Sequence, residues 1–147
     1  MDKRQFIRIS IAGAAGTLFV PKALFAGMVE PALKTKLAGG VYHTADAFGR
    51  WSKGVAEHHL PDLSQHGNQL HVATHHPMIA NAHYIIKHQL LGANFDFITE
   101  HLYDPKEDKV PETTFDVSGH KGIIYVLTMC NIHDLWVNAT EIEDMAT

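Results

Sequence analysis

The sequence predicts an all-β fold, an antiparallel sandwich or barrel. Short strand-like runs recur along the chain and are separated by turn signals, and amphipathic helix is scarce. A continuous apolar run, Ile123-Ile124-Tyr125-Val126-Leu127, reads as a buried central strand. Taken in order, Pro31–Leu37 suits a short helix, followed by a Gly39-Gly40 break and irregular chain. Trp51–Pro61 reads as a loop. Gln69–Thr74 is the first expected strand, His83–Leu91 the second and Phe95–Tyr103 the third. Gly92-Ala93-Asn94 lies between the last two and predicts a hairpin. The charged Asp104–Glu112 stretch contains two prolines and reads as a solvated loop. Phe115–Val117 is a short expected strand, Gly122–Met129 the central one and Val137–Ile142 the last. There is no internal repeat and no low-complexity tract.

Residues 1–26 read as a signal peptide ahead of a single domain over 27–147. Lys3, Arg4 and Arg8 form a basic start, Ile9–Val20 is apolar, and Ala23-Leu24-Phe25-Ala26 offers a small residue for cleavage. The apolar run is short for a transmembrane span, so no stable span is expected after cleavage. Lys3-Arg4-Gln5-Phe6-Ile7 is similar to a twin-arginine signal with lysine in the first place. Either that route or the general secretory one implies a periplasmic protein. Removal of this segment leaves 8 basic and 15 acidic residues and a net charge near −7. Such an acidic chain excludes nucleic acid as a partner. About 120 residues remain, enough for one real core.

Twelve histidines and one cysteine are a transition-metal composition. A single Cys forms no internal disulfide. Cys130 follows the central apolar strand, and His133 comes three residues later, so a thiolate and an imidazole can face one ion. Upstream stand Glu57-His58-His59-Leu60-Pro61, His76-Pro77-Met78 and His83-Tyr84-Ile85. Prolines stiffen the first two of these segments. Cys130, His133, His59, His76 and His83 are therefore the candidate ligands. His43, His66, His71, His101 and His120 lack a partner pattern and read as solvated or ordinary polar residues. His88, five residues after His83 on a strand, falls on the opposite face. His58 and His75 adjoin ligands and suit supporting or surface roles.

These motifs resemble the superoxide reductases, the family of neelaredoxin and the catalytic domain of desulfoferrodoxin. The signature Cys-Asn-x-His-Gly-x-Trp reads Cys130-Asn131-Ile132-His133-Asp134-Leu135-Trp136, and the three motifs occur in family order between Trp51 and Ile142. The resemblance implies an immunoglobulin-like antiparallel β-sandwich and a mononuclear non-haem iron (Fe2+/Fe3+). It makes His59, His76, His83 and His133 equatorial ligands and Cys130 the axial thiolate. Glu57 becomes the glutamate that closes the sixth position of ferric iron. It further implies superoxide as substrate and an external electron-donor protein, because no Cys-x-x-Cys pair supplies a second iron centre. A homo-oligomer is the expected assembly.

The chain departs from the family pattern at three points. His58 stands at the place of a lysine that draws in superoxide and organises protons, and so becomes a catalytic candidate beside Glu57. The seven-residue spacing of His76 and His83 is one longer than the pattern and requires a bulged loop. Asp134 replaces a glycine and calls for an unusual backbone angle. The rival reading is an exported blue-copper electron carrier built on Cys130, His133 and His83 or His88. It lacks the axial Met close after the His and leaves the other histidine motifs unused. A non-catalytic metal-binding protein is a further alternative.

Overall fold

The computed structural model describes residues 37–143. The expected signal peptide and the Pro31–Leu37 helix, except for Leu37 itself, lie outside them. The described chain is an antiparallel β-sandwich. One helix, α1 (Lys53–Glu57), precedes seven strands: β1 (Asp62–His66), β2 (Gln69–Ala73), β3 (Ile85–Leu91), β4 (Phe97–Leu102), β5 (Glu112–Asp116), β6 (Gly122–Cys130) and β7 (Leu135–Ile142). β1-β2-β5 form one sheet and β4-β3-β6-β7 the other, with every pairing antiparallel. Among the described residues, no helix is long and apolar enough to cross a membrane.

Alternation along the strands builds the core between the sheets. Leu70, Val72 and Phe115 from the first sheet meet Leu90, Ile124, Val126 and Ile142 from the second. β6 is apolar on both faces because its other face is covered as well. Ile123, Tyr125 and Val137 cluster there with Tyr42 and Leu91. The predicted β3–β4 hairpin is present, and its tip passes through Phe95 at φ 64°. β1 and β2 join through Gly67-Asn68, where Gly67 supplies the positive φ of 60° that this two-residue turn needs at its first position.

Four expectations are corrected. Trp51–Pro61 is not all loop, because Ser52 caps α1 by accepting from the Val55 N–H at 3.4 Å. β1 went unpredicted, since Leu63 is its one large aliphatic residue and the strand is half-exposed. β3 begins at Ile85 and not His83, since His83 sits in an isolated bridge with Ile79. β5 ends at Asp116 and starts three residues earlier than Phe115, drawn out by its register with β2. The His76–His83 segment does turn tightly, with Asn81 at φ 62°.

Candidate metal centre

Strand pairing alone places the candidate ligands at one end of the sandwich. His59 comes just before β1, and the start of β1 pairs with the end of β2 at Asp62↔Ala73, shortly before His76. His83 precedes the start of β3, which pairs with the end of β6 at Ile85↔Cys130. His133 lies in the turn where β6 passes into β7. The donor atoms of His59, His76, His83, Cys130 and His133 all lie within 4.8 Å of one another.

The four imidazoles form a closed ring. Neighbouring ring centroids are 4.5 Å apart for His59–His76, 4.2 Å for His76–His83, 4.6 Å for His83–His133 and 4.6 Å for His133–His59. His59 and His83 face each other across it at 5.9 Å. The facing nitrogens are Nε2 of His76 and His83, 2.9 Å apart, and Nδ1 of His133, 2.8 Å from His83 Nε2. Nitrogens bound about 2.0–2.1 Å from one ion, at right angles to each other, lie about 2.9 Å apart. These two edges therefore match a single transition-metal ion. Sγ of Cys130 is 3.7 Å from both His76 Nε2 and His133 Nδ1, the two nitrogens diagonally opposed. Cys130 is buried. The opposite side is an opening of about 510 Å³ that touches His59, His76, His83 and His133 but not Cys130. The thiol thus lies on the buried side of the square and solvent on the other.

The fold also sets the chemical state of the rings. His59 Nδ1 lies 2.7 Å from the Val55 carbonyl within α1, and His76 Nδ1 lies 2.6 Å from the Pro77 carbonyl. A carbonyl only accepts, so each Nδ1 carries the proton and each Nε2 presents a lone pair to the centre. Nε2 of His59 is buried with no hydrogen-bond partner. That is a costly state for a lone pair unless a cation fills it. Burial pushes His59 and His76 down to about 4 and also lowers His83 and His133. All four rings are hence neutral donors near neutral pH. Burial raises the Cys130 thiol, while the Ile132 N–H, 3.4 Å from Sγ, favours the thiolate. Four imidazoles and one thiol suit iron or another borderline transition metal.

Residues without ligand atoms hold this arrangement. Asn131 clamps the His83 segment to the Cys130–His133 loop. Its side chain donates to the Ala82 carbonyl at 2.9 Å and accepts from the Tyr84 N–H at 2.9 Å, on either side of His83. Trp136 is fully buried, donates to the His133 carbonyl at 2.6 Å and packs against His59. Trp51 meets the His133 ring in a T-shaped contact at 4.7 Å. Asp134 sits at φ 67°. Burial opposes its ionisation, but the Trp51 hydrogen bond and the Arg50 guanidinium outweigh this and hold its carboxyl below the ordinary value.

Glu57 and His58 are placed differently from the five. Both are exposed where α1 ends. Glu57 is not among the converging donors, whereas His58 lines the opening. His75 lines it as well and pairs with Asp62 at 2.8 Å. One histidine differs from expectation. His43 is buried rather than solvated, because the segment that carries it is bridged to Trp136 and its ring reaches Asp134. His88 faces away from the cluster, as expected, and is fully buried in the core, its Nε2 2.8 Å from the Thr74 hydroxyl and its Nδ1 2.9 Å from that of Tyr103. The partners of both are distant in sequence, so no local pattern marks them.

The class is thus a β-sandwich with a His4Cys cluster at one end whose donors can hold a metal ion. A family model described as desulfoferrodoxin matches residues 54–139, more than half of the chain. The chain belongs to the desulfoferrodoxin family. Its fold is similar to that of a superoxide reductase (neelaredoxin) from Ignicoccus hospitalis, at 23% identity and a TM-score of 0.57 over 71% of this chain and 96% of that one. The superoxide reductase from Treponema pallidum matches at 26% identity and a TM-score of 0.51, over 59% of this chain and 70% of that one. A superoxide reductase (1Fe-SOR) from Giardia intestinalis matches at 22% identity and a TM-score of 0.51, over 58% of this chain and 99% of that one. A comparison with curated proteins returned no match.

Proposed function

We propose that this chain is a superoxide reductase that holds one iron ion with His59, His76, His83, His133 and Cys130. The observation that carries the reading is the closed square of four imidazole nitrogens with a thiol on its buried side and an opening on the other. Iron bound there would supply a one-electron Fe2+/Fe3+ couple. Superoxide takes up one electron and two protons to become hydrogen peroxide, and an external donor protein returns the electron. The chain's own residues set the conditions for this. The neutral imidazoles keep the site's charge low, and the thiolate donates electron density from the side remote from solvent. His58 stands at the rim of the opening, where a proton or an anion must pass. Glu57 is the proposed ligand after oxidation. For that role the end of α1 must rearrange, because Glu57 lies outside the converging group. A blue-copper carrier uses two histidines and leaves two of these four imidazoles without a part to play.

Export through the N-terminal segment to the periplasm, and assembly into a homo-oligomer, complete the proposal. The test is metal analysis of the purified chain, followed by reaction of the reduced protein with superoxide. The expected result is one iron per chain, oxidised by superoxide, and one peroxide formed per superoxide consumed. Copper in place of iron, or iron indifferent to superoxide, refutes it.

A further inference from the structure

We propose that Asp134 is a positioning residue for the metal centre, whose carboxylate ties the chain ahead of α1 to the ligand loop and thereby fixes His133. This rests on the reading of the five-residue cluster as a metal site. Asp134 adjoins His133 and is held at φ 67°, a left-handed angle that an Asp adopts at some cost. Three donors from one segment converge on its carboxylate. Arg50 donates to both oxygens at 2.9 and 3.2 Å, Trp51 Nε1 donates at 3.1 Å, and His43 Nε2 lies at 3.3 Å. His43 is itself buried, and because a carboxylate only accepts, its Nε2 carries the proton directed to Asp134.

The contacts continue to the ligands. Trp51, held by Asp134, meets the His133 ring in a T-shaped contact, and the Arg50 guanidinium lies over the indole at 4.7 Å. His43 packs at 5.1 Å on Trp136, which donates to the His133 carbonyl and packs on His59. Backbone bonds hold the same segment in place, from His43 N–H to the Leu135 carbonyl at 2.8 Å and from Val137 N–H to the His43 carbonyl at 2.9 Å. A residue needed only for its backbone angle would be served as well by glycine. Here the side chain satisfies three donors, two of them on aromatic rings that bear on the ligand shell.

This distinction makes the test. Iron-loaded wild-type, Asp134→Gly, Asp134→Asn and Trp51→Phe chains are mixed with excess ferrous chelator. The rate of iron release, the ferric absorption spectrum and the melting temperature are recorded. Asp134→Gly relaxes the backbone but removes the acceptor, and should release iron about 10–100-fold faster with a shifted spectrum, as loss of a group that orients a ligand does. Asp134→Asn keeps the angle and one acceptor and should fall between Gly and wild type. Trp51→Phe keeps a ring but not its N–H and should shift release and spectrum in the same direction. These last two variants decide the matter should Asp134→Gly fail to fold. Release and spectra identical to wild type, or slower release by the Gly variant, overturn the proposal alone. A wild-type chain that holds no iron overturns the metal-site reading and this proposal with it.

Discussion

His88→Leu tests whether a polar network buried beneath the candidate metal centre contributes net stability. His88 is fully buried, and burial pushes it down to about 3, so the ring is neutral with one donor and one acceptor nitrogen. Both are used, at 2.8 Å to Thr74 and 2.9 Å to Tyr103. Leucine is close in volume, so the cavity term is small, and the loss is chiefly two hydrogen bonds at about 1 kcal/mol each. The stranded hydroxyls keep one partner apiece, Thr128 for Thr74 and Thr113 for Tyr103. That places the cost near the hydrogen-bond sum, at about 2–3 kcal/mol. For a domain of this size the melting temperature falls about 4 °C or more per kcal/mol, which predicts a drop of about 8–12 °C. Thermal melts of the metal-free chain measure the drop, and urea melts measure the free energy within a double-mutant cycle with Thr74→Val. The reasoning requires a coupling above about 0.5 kcal/mol between the two sites. A single-variant loss below that value, or strict additivity in the cycle, refutes it. Thr74 stands two residues before His76 and accepts from the His76 N–H at 2.7 Å, so His88→Leu should also speed iron release.

Other substitutions address the site directly. Cys130→Ser should abolish the sulfur-to-iron charge-transfer band and superoxide reduction, and retention of both would remove Cys130 from the ligand set. Alanine at His59, His76, His83 or His133 should each cost most of the bound iron, whereas His66→Ala, His101→Ala and His120→Ala should leave iron content near wild type. Glu57→Ala should preserve iron content and the first reaction with superoxide. It should change the ferric spectrum and its response to azide, and an unaltered spectrum and anion affinity would exclude the glutamate as a ligand. Acid should destabilise the metal-free protein in a defined window. His88 at about 3, and His59 and His76 at about 4, lie below the ordinary 6.5. The unfolded chain therefore binds protons first, and stability is lost as pH falls from about 6.5 toward about 3–4. His88→Gln should flatten the slope of urea stability against pH by up to one proton, and an unchanged slope would contradict the burial of a neutral His88.

The strands that bury a face were legible in the sequence, because burial imposes composition on contiguous residues. β6 announced itself through Ile123–Leu127, and the β3–β4 hairpin through the turn between its strands. The five converging residues were legible too, since each lies in a short motif whose neighbours, such as Pro77 after His76, shape the local backbone. β1 and α1 were not, for the opposite reason. β1 carries one large aliphatic residue in five positions, and α1 is one capped turn. β1 is held by its pairing with β2. Position Asp134 was marked as needing an unusual angle, and its φ of 67° agrees. Its three donors, more than eighty residues away, left no trace nearby. The burial of His43 and the hydroxyl partners of His88 left no local mark for the same reason. The sequence by itself determined which side chains carry chemistry and which segments extend, since those follow from residue type and local periodicity. The tertiary structure alone decided the order of the imidazoles around the square, the side on which the thiol lies and the surroundings of each buried polar group, because antiparallel pairing joins strand ends far apart in the chain.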